Sequence, residues 1–234
     1  MPRPNPVLPF CLLVIALAAL PHPIHAEDRP NLALPSEITP LTAGDVQKRA
    51  LAWQLFAIGK LAEDPIFLLT AIRLARSTDQ RAATGWTRDG VALTPDTTPN
   101  VTADGPGSDA TMALAVLMAE GDPALADLAA DVQADLARPS GARGHVSIAD
   151  AQAQPGKIDT WRMAFYGQVR AEVAIFGQRP LGLTVTDESG ASVCQKAGPA
   201  TIGYCQFTPE RNGYFIVQVT NPTATAIAYS LISN

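Results

Sequence analysis

Histidine and cysteine are scarce in this sequence of 234 residues, which contains three of each. His22 and His25 lie near the amino terminus, so His145 is the only histidine in the rest of the chain. Hydrolytic triads and structural zinc sites depend heavily on these two residue types. After residue 26 the chain has two thiols and one distant histidine, which do not make a four-ligand metal site. We therefore expect no metal, no cofactor and no enzymatic activity.

Charged residues are also few, at 17 %, and acidic residues outnumber basic ones by 22 to 17. The resulting net charge of −5 disfavours nucleic acids and anionic membrane surfaces as partners. No apolar run after residue 26 approaches the roughly 20 residues that a membrane-spanning helix needs. We expect no nucleic-acid partner and no membrane anchor once the amino terminus has been processed.

The amino terminus has the three parts of a secretory signal peptide. Arg3 supplies positive charge, residues 7–20 form an apolar run of 14 residues, and two prolines precede the small residue Ala26. We predict cleavage after Ala26 and export to the periplasm or the medium, with residues 1–26 as the signal peptide. Residues 27–41 contain three prolines and are predicted to form an extended leader.

Removal of the signal peptide takes Cys11 with it and leaves Cys194 and Cys205. An even cysteine count in an oxidising compartment favours a disulfide. Turn-forming residues 197–199 lie between the two cysteines. We predict that Cys194 and Cys205 form a disulfide across neighbouring strands.

Residues 42–137 have the alanine-rich, apolar periodicity of helices. After a first apolar stripe, Asp64 and Pro65 suit the cap and the first position of a second helix. Segments 110–120 and 123–136 then repeat this layout. The sequence predicts two helical hairpins, which are either degenerate repeats or a plain four-helix array.

Two segments interrupt the regular patterns. Residues 78–107, rich in Gly, Thr and Asp, predict a long loop, which Trp86 would hold against the helices. Ser108 is predicted to cap the helix that follows this loop. Residues 138–158 predict the linker between two domains.

From Asp159 the apolar spacing changes from a period of 3.6 residues to a period of 2. Short alternating segments separated by turn sequences are typical of a β-sandwich. The predicted fold class is therefore α+β in separate domains. Helical hairpins occupy residues 42–137, and a small antiparallel, jelly-roll-like β-sandwich occupies residues 159–234.

The carboxyl-terminal segment also carries distinctive motifs. They are LTVTD at 183–187, Gly190, VC at 193–194, FTP at 207–209 and GYF at 213–215. This pattern resembles the bacterial pre-peptidase C-terminal domain, a jelly-roll-like β-sandwich often attached to secreted hydrolases. Many members carry acidic residues before the Leu-x-Val-x-Asp strand, where they can contribute to calcium binding. Residues 178–182 contain none, so we expect no calcium site, and Asp187 is predicted to shape a turn.

Two sets of side chains are candidates for a ligand or partner face. One set, at four-residue spacing on a single predicted helix, is Asp127, Asp131 and Asp135. It forms either a solvated stripe or a docking face for a basic partner. The other set, on the predicted sandwich, is Trp161, Tyr204 and Tyr214. These aromatic side chains either pack in the core or form a binding face.

The absence of a catalytic constellation favours a non-catalytic function. We expect an exported binding or interaction protein of the bacterial envelope. Its helices would dock an unknown protein or envelope component, and its sandwich would give stability or weak ligand binding. The alternative is a secreted hydrolase that uses acidic residues of the 78–107 loop, tested through Asp104 or Asp109, with the sandwich as an accessory domain.

Overall fold

The computed structural model describes residues 29–33, 44–89, 91–92, 105–137, 144–196, 198 and 200–234. The predicted signal peptide and its cleavage point after Ala26 lie outside these residues, as does Asp104. Within the described part of the chain, no helix combines the length and the apolar character that a membrane crossing requires.

Four helices occupy the amino-terminal part of the described residues. They are α1 (Asp45–Ala62), α2 (Pro65–Arg76), α3 (Asp109–Met118) and α4 (Pro123–Ala137). The Asp64 carboxylate accepts a hydrogen bond from the backbone of Ile66 at 2.8 Å, and Pro65 is the first residue of α2. The Ser108 hydroxyl accepts from the backbone of Thr111 at 3.1 Å and caps α3. Both predicted caps and the four predicted helices are confirmed.

Ten strands in the described part of the chain form two sheets that are continuous through β6. The strands are β1 (Thr78–Ala82), β2 (Thr87–Arg88), β3 (Val91–Ala92), β4 (Gly144–Ala153), β5 (Ile158–Phe165), β6 (Ala171–Asp187), β7 (Ser192–Gln195), β8 (Ala200–Phe207), β9 (Gly213–Thr220) and β10 (Ile227–Ser233). The helix-facing sheet has the order β1-β4-β10-β6-β8. The outer sheet has the order β3-β2-β5-β9-β6-β7. Among the strand pairs that the structure describes, only β1 and β4 are parallel, so the sheets form a curled, mostly antiparallel structure.

Two segments predicted as connections contain strands. β1, β2 and β3 lie within residues 78–107, and β4 lies within residues 138–158, so the linker prediction is wrong for 144–153. The β4 sequence contains three alanines, a residue type that is depleted in strands, and its pairing with β10 and β1 supplies the strand character. Trp86 packs edge-on against Trp161, with ring centroids 6.2 Å apart, inside the sandwich core. The expectation that Trp86 holds the loop against the helices is also wrong.

Helix α1 covers the face of the helix-facing sheet that points away from the outer sheet. Val46, Ala50 and Trp53 of α1 share a core cluster with Phe176 of β6 and Ile232 of β10. Because the sheet is covered on both faces, the first six residues of β6 are all buried. The helical part and the sandwich thus occur in the predicted order, but they are packed together rather than held apart by a linker.

The buried carboxylate of Glu172 lies at the amino end of α1. Glu172 is 1 % exposed, accepts a hydrogen bond from the Tyr204 hydroxyl at 2.9 Å, and lies so close to Gly44 that a Cβ there would clash with its oxygens. A negative charge at the amino end of a helix is favourable because the helix dipole is positive there. Glycine at the helix N-cap allows this approach, which positions α1 on the sheet.

The predicted disulfide is confirmed. Cys194 of β7 and Cys205 of β8 are bonded, with their Cα atoms 6.0 Å apart. β7 belongs to the outer sheet and β8 to the helix-facing sheet, and both pair with β6. The bond therefore joins the two sheets directly at the edge that β6 alone would otherwise hold.

Asp187, at the end of β6, shapes a turn and holds part of the predicted leader. Its Oδ1 accepts from the backbones of Ser189 at 2.9 Å and Ala191 at 3.0 Å. Its Oδ2 accepts from the backbone of Asn31 at 2.7 Å. Burial alone would raise the pKa of Asp187, but these bonds, together with that from the Ser189 hydroxyl, hold it below its ordinary value. The predicted turn role is confirmed.

Replacement of both Cys194 and Cys205 by alanine should lower the free energy of unfolding by about 2–3 kcal/mol, because a short closed loop no longer restricts the unfolded chain. Urea unfolding measured at equilibrium checks this value. Reduced wild-type protein is the control and should behave like the double variant. An unchanged urea midpoint would contradict the prediction.

Asp187→Asn should lower the free energy of unfolding at pH 7 by about 1–3 kcal/mol, because the amide nitrogen leaves buried donors unsatisfied. The folded pKa lies below the unfolded value of about 3.9, so the carboxylate stabilises the fold above that value. This contribution is lost as pH falls through the folded pKa. The difference between wild type and variant should be constant from about pH 5 to 7 and shrink below about pH 4.

Urea unfolding at several pH values provides the measurement. Glu188→Gln is the matched control, because that neighbouring carboxylate is 57 % exposed and its loss should change stability little. A pH-independent difference for Asp187→Asn would rule out the proposed role of its charge.

Candidate functional site

A cleft lies between α1 and the helix-facing sheet. It consists of two adjacent cavities of about 590 and 670 Å³. Both volumes fall within the range of small-molecule sites, about 300–1,000 Å³. Trp53, Phe176 and Ser230 line both cavities, so these residues mark the boundary between them.

An aromatic stack forms this boundary. The rings of Trp53 and Phe176 are nearly parallel, at 15°, with centroids 5.3 Å apart. Phe56, one helical turn beyond Trp53 on α1, meets the Trp53 ring edge-on at 5.8 Å. Phe176 points towards α1 because side chains alternate along β6, with Val173 and Ile175 facing the outer sheet. Helical and strand periodicity together thus bring the three rings into the cleft.

The first cavity, which we call the basic cavity, contains a buried guanidinium group. Arg49 of α1 is 9 % exposed, and its Nη2 donates to the backbone oxygen of Thr78 at 2.6 Å. The Gln80 amide oxygen also accepts from this guanidinium when the amide is oriented to suit both groups. In the described part of the chain, Arg49 Nε and the buried Thr78 hydroxyl have no hydrogen-bond partner.

Burial lowers the pKa of Arg49 to about 10, and the nearby Asp79 and Asp45 carboxylates offset part of this effect. The guanidinium therefore remains charged at neutral pH. A buried charge is costly unless it is fully paired. Among the described residues, nothing pairs with Arg49 Nε, so this buried charge is not fully paired.

Further positive groups line the same cavity. Arg76, at the end of α2, donates from Nε to the backbone oxygen of Gly107 at 2.8 Å. Its Nη2 lies 2.6 Å from Asp109. Ser108, the N-cap of α3, also lines the cavity, so the positive end of a helix dipole faces it.

The second cavity, which we call the aromatic cavity, has a more apolar lining. Its apolar and aromatic residues are Trp53, Phe56, Ala57, Ala151, Phe176, Ile202, Ala228 and Tyr229. Lys60 lies over the Phe56 ring at 5.2 Å, at the α1 side of the cavity. Opposite, Ser230 donates to Asp150 at 2.5 Å. The cleft therefore has a charged end and an apolar end.

The aromatic residues predicted as a binding face lie in three different places. Trp161 is 0 % exposed and donates from Nε1 to the Tyr229 hydroxyl at 2.8 Å, so it is a core residue and the binding-face alternative is wrong for it. Tyr204 packs beside α1 and bonds to Glu172. Tyr214 is exposed on the outer sheet, with the Arg162 guanidinium 3.2 Å above its ring centroid. They do not form one surface.

The pKa values of two tyrosine hydroxyl groups near the helix-facing sheet, those of Tyr204 and Tyr229, are raised. Burial, reinforced by the Glu172 carboxylate, raises the pKa of Tyr204. Burial and the Asp159 carboxylate raise the pKa of Tyr229, whose hydroxyl donates to Asp159 at 2.7 Å. Both phenols therefore stay protonated and act as hydrogen-bond donors within the fold.

The predicted acidic stripe lies on the exposed side of α4. Asp127, Asp131 and Asp135 are all exposed, and Asp135 lies 3.5 Å from Arg73 of α2. The choice between a solvated stripe and a docking face stays open. Asp109, one of the acids named for the hydrolase alternative, is engaged by Arg76. The described residues contain no group of three or more His, Cys, Asp or Glu side chains placed to hold a metal ion.

The cleft residues Arg49, Trp53 and Phe176 were not predicted as a site from the sequence. A signal for Arg49 was present, because positions 46, 49, 50 and 53 lie on one face of a helix. A charged residue among three apolar ones on that face stands out. Phe176 came close to Trp53 only through the packing of α1 on β6, which no local pattern predicts.

None of the protein families compared with the chain matches it, and neither does any curated protein. A de novo designed double-stranded β-helix is 11 % identical with a TM-score of 0.25, and the match covers 37 % of this chain and 97 % of the designed one. A periplasmic inhibitor of g-type lysozyme from Aeromonas hydrophila is 14 % identical with a TM-score of 0.28, covering 38 % and 85 %.

A sugar phosphate isomerase of the cupin superfamily from Silicibacter pomeroyi is 10 % identical with a TM-score of 0.16, and the match covers 33 % of this chain and 50 % of that one. Likenesses of this strength carry no argument about the function of the present chain.

Proposed function

We propose that this chain is an exported, non-catalytic binding protein whose ligand lies in the cleft between α1 and the helix-facing sheet. The observation that carries the proposal is the pair of cavities on either side of the Trp53–Phe176 stack. A concave, largely apolar site with a few converging polar groups is the usual form of a small-molecule site. The disulfide supports export, because such bonds persist in oxidising compartments.

The sandwich contributes a rigid wall in this proposal. The Cys194–Cys205 bond and the shared strand β6 hold the helix-facing sheet, and α1 closes over it. The resemblance of residues 159–234 to the pre-peptidase C-terminal domain stays a prediction, as does cleavage after Ala26. Both are compatible with a secreted binding protein.

The proposal predicts saturable binding of N-phenyl-1-naphthylamine, a neutral apolar dye, in the cleft. Trp53→Ala should weaken binding by about tenfold or more, because a stacked aromatic wall and its buried area are lost. Trp53→Phe should retain most of the affinity. Dye fluorescence titration measures both, with circular dichroism to establish that each variant is folded.

Tyr214→Ala is the matched control, since it removes an exposed aromatic side chain from the outer sheet, away from the cleft. It should leave dye binding unchanged. Absence of saturable binding by the folded wild type would overturn the proposal. So would equal weakening by Trp53→Ala and Tyr214→Ala.

A second candidate function, docking of a protein partner on the helices, is favoured by the distribution of apolar surface. Of the twelve large hydrophobic side chains exposed among the described residues, eight lie on the four helices. Four of them surround the turn between α1 and α2: Ile58, Leu61, Ile66 and Phe67, which are 47 %, 89 %, 49 % and 36 % exposed. We call this set the hairpin corner. Exposed apolar clusters of this kind are typical of protein–protein contacts.

Replacement of both Ile58 and Leu61 by aspartate should abolish capture of the partner from a periplasmic extract, because charge disrupts an apolar contact. Ile158→Asp, at a residue 51 % exposed on the outer sheet, is the matched control and should retain capture. Capture that is unaffected by the hairpin-corner variant would contradict docking there. Light scattering of the purified chain distinguishes a foreign partner from self-association.

A further inference from the structure

The basic cavity has the features of a site for an anionic group. Arg49 is more than nine-tenths buried, with one guanidinium donor unpaired, and the buried Thr78 hydroxyl beside it also lacks a partner in the described residues. Unsatisfied buried polar atoms are rare, and each requires an explanation. Arg49 also lines the cavity, where its positive charge favours a ligand that supplies acceptor oxygens.

The charge lining this cavity favours a negative ligand. Two guanidinium groups, from Arg49 and Arg76, line the cavity together with the amino end of α3, and Asp79 is the carboxylate among the lining residues. The Asp79 carboxylate lies near Arg49, whose pKa its charge raises, and is 4.0 Å from His145. Arginine is well suited to this task because its planar group binds a carboxylate through two parallel hydrogen bonds.

The apolar character of the neighbouring cavity restricts the rest of the ligand. A molecule with its charge beside Arg49 meets the Trp53–Phe176 stack next and then the aromatic cavity. A small inorganic anion would leave the apolar part of the cleft empty. A neutral apolar molecule would make no favourable use of the positive charge of Arg49.

We propose that the cleft binds an amphiphilic organic carboxylate, with its carboxylate beside Arg49 in the basic cavity and its apolar body against Trp53, Phe176 and the aromatic cavity. This inference rests on the function proposed above and specifies its ligand class. A fatty acid and an aromatic acid share this chemistry. The apolar lining of the aromatic cavity suits a chain, and the stacked rings suit an aromatic body.

The test is displacement of bound N-phenyl-1-naphthylamine by three competitors. Decanoate and decan-1-ol have the same chain and differ in the charge of the head group, and 1-naphthoate carries the same charge on an aromatic body. Decanoate should displace the dye at about tenfold lower concentration than decan-1-ol, although the alcohol is the more apolar of the two. The ratio of decanoate to 1-naphthoate distinguishes a fatty from an aromatic acid.

Arg49→Met keeps the length of the side chain and removes its charge. In this variant the preference for decanoate over decan-1-ol should disappear, because the positive charge that favours the carboxylate is gone. Arg162→Met, which removes a guanidinium from the outer sheet, is the matched control and should keep the preference. If Arg49→Met does not fold, Arg76→Met should reduce the preference at the edge of the same cavity.

The outcomes separate the two proposals. Dye binding without a preference for either carboxylate over decan-1-ol, or a preference that survives in folded Arg49→Met, overturns the carboxylate inference and leaves the binding function standing. Failure of wild-type protein to bind the dye overturns the binding function, and the carboxylate inference falls with it.

Discussion

The pairing of β6 with four other strands holds the two sheets of this protein together. Its first half lies between β10 and β8, and its second half lies between β9 and β7. A single continuous strand thus fixes the relative position of both sheets, and the disulfide between β7 and β8 joins them a second time beside it. Side chains of the same strand also organise the surroundings: Glu172 faces α1, and Asp187 holds Asn31.

The docking of α1 follows from this arrangement. The first half of β6 presents Ala174 and Phe176 to the helix, and Glu172 lies at the amino end of α1 beside Gly44. Because α1 is fixed at that end, Arg49 and Trp53 lie over the sheet about one and two helical turns further along the helix. The cleft is therefore the space left where the packing of a helix on a curled sheet is incomplete, and its charged and apolar ends correspond to successive turns of α1.

Features that depend on neighbouring residues could be predicted from the sequence. Asp64 and Ser108 cap helices through bonds two and three residues away, and Asp187 shapes a turn within four residues. The disulfide followed from cysteine count and compartment. The missed features depend on distant contacts: β4 is a strand because β1 and β10 flank its alanine-rich sequence, and Trp86 lies in the sandwich because Trp161 is there. Arg49 lines the cleft only because α1 packs on β6, a contact between distant parts of the chain.

The walls of the cleft belong to two different layers, one helical and one β. Such a site exists only while α1 rests on the sheet, since separation of the layers divides Trp53 from Phe176 and leaves no cavity between them. Any molecule bound in the cleft therefore contacts both layers. By mass action, a higher concentration of that molecule increases the free energy that holds the helices on the sheet. Occupancy of the cleft and attachment of the helical layer, including the hairpin corner, are thus two aspects of one equilibrium.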